Sequence, residues 1–291
     1  MSADNITLVE NTLPVVADRR LPGGFRREST KTRFQPVLAG WGKRGIGLIL
    51  PIAILSVWEL VTQMHWVKPV FLPSPQEVGA SFYDMLVNQG LLTDFRVSAT
   101  AVLQGFILGG ILGLGIGIAA GLSKTVEQFL GPTLNSLRQV PTLAWLPLIV
   151  LWIGAGTFAK SVIIGKTVFF PVFLNTLQGI RGVSKEYVEV ARIFEYRRTL
   201  LLRKVILPAA LPSIFVGVRY GAGLAWAFVI AAEMLGGQYG LGYLLMRSQE
   251  MLLTSQLFVV IVVIGAVGFS VDFGLRKIEG RLLRWKRGFE G

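Results

Sequence analysis

Apolar positions in this chain gather into runs of about 20 residues, separated by short stretches where charge and proline collect. At about 1.5 Å rise per helical residue, a run of that length matches the roughly 30 Å of hydrocarbon in a bilayer. Six runs are predicted as membrane helices, over about 45–64, 97–121, 132–154, 157–179, 211–232 and 256–275. Pro141, Pro147 and Pro171 fall inside the third and fourth runs, where kinks are expected rather than breaks. Between the first two runs, "FLPSPQEVGASFYDMLVNQG" is too polar to cross. Ser74 followed by Pro75 reads as a helix start, so a short interfacial helix is expected there, on the outer face. The pattern as a whole predicts an all-α, polytopic membrane protein of about six transmembrane helices.

Two finer patterns lie within this frame. In the second run, Gly105, Gly109, Gly113, Gly117 and Gly121 recur every four residues. Such a ladder makes a smooth strip along which another helix backbone can approach closely. Gly115, Gly117 and Ala120 also satisfy a dinucleotide-binding spacing, but no strand precedes them and the segment is apolar throughout, so helix packing is the better reading. The second pattern is the charged stretch Lys185 to Pro212, whose first 20 residues carry six basic and three acidic side chains. Ser184 can cap a helix there with Glu186 in its first turn. Tyr187, Val190, Ala191 and Phe194 then fall at i, i+3, i+4 and i+7, one apolar face opposite Lys185, Glu189 and Arg192. A two-faced helix of this kind suits either lipid headgroups or a groove on a cytosolic partner.

Composition and charge narrow the function. Hydrophobic residues make up 52% of the 291 and charged ones 16%, against about 25% charged in an ordinary soluble domain. The net charge of +12 suggests topology rather than nucleic acid, because the basic residues flank the runs. With the N-terminus inside, 23 Lys and Arg fall on the cytoplasmic side and four (Lys68, Arg96, Lys160 and Arg247) on the outer side. That bias predicts both termini in the cytoplasm and an even number of spans. No cysteine and a single histidine, His65, leave little for disulfides, metal sites or His-based triads. Gly165-Lys166-Thr167 ends like a phosphate loop, but the position five before Gly165 is Lys160, not glycine, so nucleotide is not expected on this chain. No familiar hydrolytic motif is present, and the chain reads as a non-enzyme. Lys166 and Arg219 lie mid-span, where a basic side chain costs on the order of 3 kcal/mol and so faces a partner or a wet cavity. Both, with Glu233 at the outer end of the fifth run, are candidates for an anion path. Pairing of either cation with carbonyls, Asn175 or Glu233 is the structural alternative.

The wording of the charged stretch adds a resemblance. Glu189-Val190-Ala191, then thirteen residues to Val205-Ile206-Leu207-Pro208, resembles the EAA loop of permease subunits of bacterial ATP-binding-cassette importers. The family's glycine position holds Glu195, which implies a shifted or continuous bend, since a glutamate does not take positive φ cheaply. "LRQVPTLAWLPLIVLWIGAG", "LPAALPSIFVGVRYGAGLAW" and "AAEMLGGQYGLGYL" look like the branch that imports aliphatic sulfonates, taurine and nitrate, over about residues 45–285. The resemblance implies the MetI-like, type I importer fold, with a cytoplasmic tail over 1–44, a permease domain over 45–275 holding the coupling loop at 181–210, and a basic tail over 276–291. It also implies two cytosolic ATPase subunits that hold the ATP and magnesium, a second permease subunit in a homodimer, and a periplasmic or lipoprotein substrate-binding protein, all at a bacterial inner membrane. Glu189, Val190, Ala191, Arg192, Glu195, Leu207 and Pro208 would then form the ATPase contact. Bicarbonate or a neutral vitamin precursor are alternative cargoes. An ion-coupled carrier is the alternative from another class, but neither repeated halves nor mid-span carboxylates support it.

Overall fold

The structure is a computed structural model that describes residues 39–283. The chain divides into two units, residues 1–50 and 51–291, and only the opening turns of the first helix represent the former. The expected tails over 1–44 and 276–291 lie in large part outside the described residues, at 1–38 and 284–291. In chain order the helices are α1 (Ala39–Gln63), α2 (Pro75–Val87), α3 (Leu91–Leu122), α4 (Lys124–Gln139), α5 (Leu146–Ile153), α6 (Thr157–Arg181), α7 (Lys185–Ile193), α8 (Arg198–Leu201), α9 (Leu207–Gly236), α10 (Leu241–Glu250) and α11 (Thr254–Leu282).

The start signal at Ser74 forms as read. The Ser74 hydroxyl accepts the Glu77 N–H at 3.3 Å, and the Glu77 carboxylate accepts the Ser74 N–H at 3.0 Å, with Pro75 opening α2. At the other end of α2, the side-chain amides of Asn88 and Gln89 donate to Asp84 at 2.7 and 2.6 Å, which holds its carboxyl below the usual range. Trp58 of α1 donates its indole N–H to the Pro73 carbonyl at 3.0 Å and rests on Phe258 of α11.

The centre is a three-helix core of α3, α6 and α9. The glycine strip of α3 faces α6 in ascending order: Gly105 lies against Ser161 and Ile164, Gly109 against Gly165, Gly113 against Phe169 and Val172, Gly117 against Phe173 and Thr176, and Gly121 against Ile180. The order shows that α3 and α6 run parallel. A Cβ on Gly109 would stand 2.2 Å from the Gly165 carbonyl oxygen, so only glycine fits there. On its other side α6 packs antiparallel to α9, where Gly217 meets Pro171 and Asn175, and Gly221 meets Val168. Val168, Val172, Ala225 and Val229 fill the space between the helices.

Because α3 and α6 are parallel, the chain between them must return across the full depth. The sequence predicts one helix for that return, over 132–154; the structure has two. α4 ends at Gln139, Val140 is extended (φ −76°, ψ 119°), and after a short 3-10 turn α5 departs at 90°. The reason is Pro141, whose ring pushes the preceding residue out of the helical region and removes a donor. Among the described residues, four helices are long and apolar enough to cross a membrane, α3, α6, α9 with its α8 lead-in, and α11, or up to five if the bent pair counts as one. The first predicted run contributes a shorter apolar stretch, Ile49–Gln63. Four or five of the six expected spans are thus accounted for by length and composition, and the run at 45–64 falls within the 25-residue helix α1. α11 also continues to Leu282, past the end of the sixth predicted run, and carries Arg276, Lys277 and Arg281 on its last turns.

Candidate functional site

The charged stretch folds as a short helix followed by a turn. Ser184 accepts the Glu186 N–H at 3.3 Å and starts α7, which ends after Ile193. There the Tyr196 N–H donates to the Ala191 carbonyl at 3.0 Å and the Glu195 N–H to the Arg192 carbonyl at 2.9 Å. This pair of bonds is the Schellman closure, which requires a left-handed residue just past the helix. Glu195 is that residue, with φ +54°. The sequence-based expectation of a shifted or continuous bend is therefore corrected: the turn stands at the family's glycine position, held by two backbone bonds in spite of the Cβ. The predicted apolar face also divides. Ala191 is 5% exposed and turned into the chain, where α7 packs on residues 202–206, while Tyr187 (62%), Val190 and Phe194 (72%) are left open. The small side chain of Ala191 allows the helix to sit close to its own support, and the larger Tyr187, Val190 and Phe194 stay open. Glu189, Arg192 and Glu195 are exposed around this apolar strip, and Leu207 and Pro208 are half-buried at the start of α9. One π-helical turn, Leu202–Ile206, precedes them, and Pro208 lacks the N–H that a regular helix would use there.

The three charges placed in the spans have different surroundings. Arg219 is neutralised: its Nε donates to Asp272 at 2.9 Å and its Nη1 to Glu279 at 3.4 Å, both on α11. Glu233 is 1% exposed and lies buried near the C-terminal end of α9. Lys166 meets neither Asn175 nor Glu233. Its ammonium donates to the Val140 carbonyl at 3.2 Å and reaches the Thr142 hydroxyl at 3.5 Å, with the rings of Trp145 and Phe170 at 5.5 and 5.7 Å. Neutral dipoles and aromatic faces stabilise a cation there without cancelling its charge. Val140 is available because Pro141 breaks the helix, which takes the bonding partner of that carbonyl away. Lys166 borders two cavities. One, of about 420 Å³, is walled by apolar side chains such as Leu108, Leu137, Trp152 and Phe169. The other, of about 380 Å³, adds Arg138, Thr142, Thr167, Asn175 and Tyr220.

Sequence reading missed a buried polar cluster at the opposite end of α9. Ser98 of α3 donates to the Glu233 carboxylate (2.9 and 2.8 Å to its two oxygens), and the Gly242 N–H donates to it at 3.0 Å. Lys160 of α6 stands 3.6 Å from it and donates to the Tyr239 carbonyl at 3.0 Å. Asp94 accepts the Gly240 N–H at 2.7 Å, and Ser98 accepts the Leu241 N–H at 2.9 Å. Gly240 has φ +116°, and a Cβ on it would fall 2.3 Å from the Glu233 carboxylate. The cluster ties α3, α6 and α9 to the start of α10, with Glu233 paired to Lys160 and Asp94 hydrogen-bonded to the Gly240 N–H. A signal was present. Stepping the glycine ladder backwards from Gly105 leads through Ala101 to Ser98 and Asp94, all buried on the same face of α3.

With that geometry established, comparison with known proteins gives a family. The profile of the family described as "Binding-protein-dependent transport system inner membrane component" matches residues 111–284. This chain belongs to that family. The putative aliphatic sulfonates transport permease SsuC of Bacillus subtilis (strain 168) is 39% identical over 252 residues, covering 87% of this chain and 90% of that protein. The taurine transport system permease TauC of Escherichia coli (strain K12) is 34% identical over 237 residues, covering 80% and 86% respectively. Among solved structures, an inward-facing conformation of the MetNI methionine ABC transporter superposes with a TM-score of 0.58 at 15% identity, covering 66% of this chain and 95% of that one, a likeness of fold.

The chain is thus an ABC importer permease subunit, which translocates a small solute together with an extracytoplasmic binding protein. It is not itself catalytic: ATP hydrolysis resides in a partner subunit.

Proposed function

We propose that this permease imports small anions of the aliphatic sulfonate, taurine or nitrate class. In this reading two copies pair in a bacterial cytoplasmic membrane with both termini inside. Two ATPase subunits sit beneath them, and a periplasmic or lipoprotein-anchored binding protein delivers the solute. The similarity to SsuC and TauC supports the anion class, and the surplus of basic residues in alternate connecting segments supports the orientation. In this reading the chain comprises a cytoplasmic tail at 1–44, a permease domain at 45–275 that holds the coupling loop at 181–210, and a basic cytoplasmic tail at 276–291.

One observation carries the coupling role: the open strip of Tyr187, Val190 and Phe194 on a helix closed at both ends by its own caps. Its burial against the ATPase, rimmed by Glu189, Arg192 and Glu195, would pass ATPase closure through Leu207-Pro208 into α9 and change the balance between outward- and inward-facing states. The test is to purify tagged permease carrying Tyr187→Asp and Phe194→Asp together and to measure the ATPase retained with it. We expect retention and uptake to fall at least about tenfold, as the loss of two apolar anchors at an interface centre entails, while the permease stays monodisperse in detergent. Full retention would remove α7 from the coupling contact.

A further inference from the structure

The cations in and beside the spans differ in their partners, and the difference points to one cavity. Lys160 is matched by Glu233, and Arg219 by Asp272 and Glu279. Arg181 at the end of α6 is matched by Glu127. Mid-span Lys166 joins no ion pair among the described residues, nor does the exposed Arg138 at the end of α4, and both line the cavity of about 380 Å³ between α4, α6 and α9. A cation kept mid-span without a carboxylate is costly, and such residues face solutes or water by preference. The cavity adds hydroxyls from Thr142 and Thr167 and the side-chain amide of Asn175, whose Nδ2 already donates to the Pro171 carbonyl at 2.9 Å. Its remaining walls are apolar, chiefly Phe170, Leu174 and Phe228. Its volume falls within the range of small-molecule sites, and the lining has the usual form of an apolar pocket with a few convergent polar groups.

We infer that this cavity is an anion-binding vestibule on the permease itself, in which Lys166 and Arg138 hold the charged head of a small organic anion and Phe170, Leu174 and Phe228 take its apolar tail. The inference rests on the anion reading proposed above and adds to it a site, a residue the sequence did not single out, and a preference for a head-and-tail anion over a compact inorganic one. Arg138 reaches the cavity because the Val140–Pro141 break ends α4 beside α6. The same break frees the Val140 carbonyl that steadies Lys166. Arg219 does not take part: it lines a different cavity, and its charge is met by Glu279 and by the Asp272 it shares with Arg276.

The experiment uses the complete complex of permease, ATPase and binding protein in lipid nanodiscs, with radiolabelled hexanesulfonate as the probe and hexanol as its uncharged counterpart. Binding is measured by equilibrium dialysis on the permease–ATPase complex before the binding protein is added. The parent should retain hexanesulfonate over hexanol. Lys166→Met and Arg138→Gln should each weaken retention at least about tenfold, well below the roughly thousandfold of one full charge contact at an effective dielectric of about 20, because desolvation offsets much of that gain. Lys166→Arg should keep most of it. ATPase stimulation by the binding protein reports whether each variant still assembles, and a variant that loses stimulation is replaced by Lys166→Gln. Equal retention by parent and charge-removed variants overturns the vestibule while leaving the importer of anions intact. Uptake by the parent complex of neutral solutes only, with no sulfonate retained, overturns the anion reading and the vestibule together. An anionic lipid headgroup shares the chemistry of the proposed ligand, so the dialysis is repeated in discs of phosphatidylcholine with and without phosphatidylglycerol. Loss of the probe on adding phosphatidylglycerol would assign the cavity to lipid and overturn the proposal.

Discussion

Gly109 and Gly110 are neighbours with opposite surroundings, and the pair isolates what one methyl group does. A Cβ on Gly109 meets the Gly165 carbonyl at 2.2 Å, backbone against backbone, whereas nothing lies within 4 Å of a Cβ on Gly110. Gly109→Ala must push α3 and α6 apart and should lower stability by about 1–3 kcal/mol, the usual cost of overpacking. Gly110→Ala should be neutral or stabilising by up to about 1 kcal/mol, through helix propensity alone. Unfolding of the two variants in mixed detergent micelles checks this, and equal stabilities would deny that the strip is in close contact. The four-residue glycine period was legible in the sequence. Its partner was not, because one smooth strip fits any helix of suitable crossing angle, and only the side chains of α6 choose.

At the level of elements, the turn after α7 shows a local preference overridden. Glutamate in the left-handed region is disfavoured by roughly 1–2 kcal/mol, yet Glu195 takes φ +54° because the Tyr196 and Glu195 amides close the end of α7. Glu195→Gly should remove that strain at the cost of some added freedom in the unfolded chain, for a net gain near 0.5–1 kcal/mol. Tryptic cleavage at Arg197 should slow up to about fivefold, in proportion to the stability gained. Faster cleavage would show that the turn is not strained. The α4–α5 break is the converse case. Pro141 was visible in the sequence and a kink was expected. A full right angle depends on where α4 and α5 find apolar neighbours, which periodicity does not report.

At the scale of the whole molecule, the parallel course of α3 and α6 organises the rest. It obliges the intervening chain to cross back, places the Glu233 cluster at one end of the core and α7 at the other, and puts Lys166 between them. The orientation of this frame follows from charge bias and can be tested directly, since the chain has no cysteine. In intact cells Lys68→Cys should react with a membrane-impermeant maleimide and Arg192→Cys should not, while both should react after permeabilisation. Labelling of Arg192→Cys in intact cells would invert the topology and place α7 out of reach of any cytosolic ATPase.

Properties that depend on near neighbours were already written in the chain: long apolar runs, the Ser74 cap, the glycine period, the two-faced helix at 185–193, and a charge asymmetry that does not depend on packing. The pairing of charges was not, because an ion pair joins residues far apart in the chain. Arg219 and Asp272 are 53 residues apart, Arg181 and Glu127 are 54 apart, and no short-range pattern records which acid meets which base. For the same reason, the contrast between a neutralised Arg219 and an uncompensated Lys166 emerged only once the helices were packed.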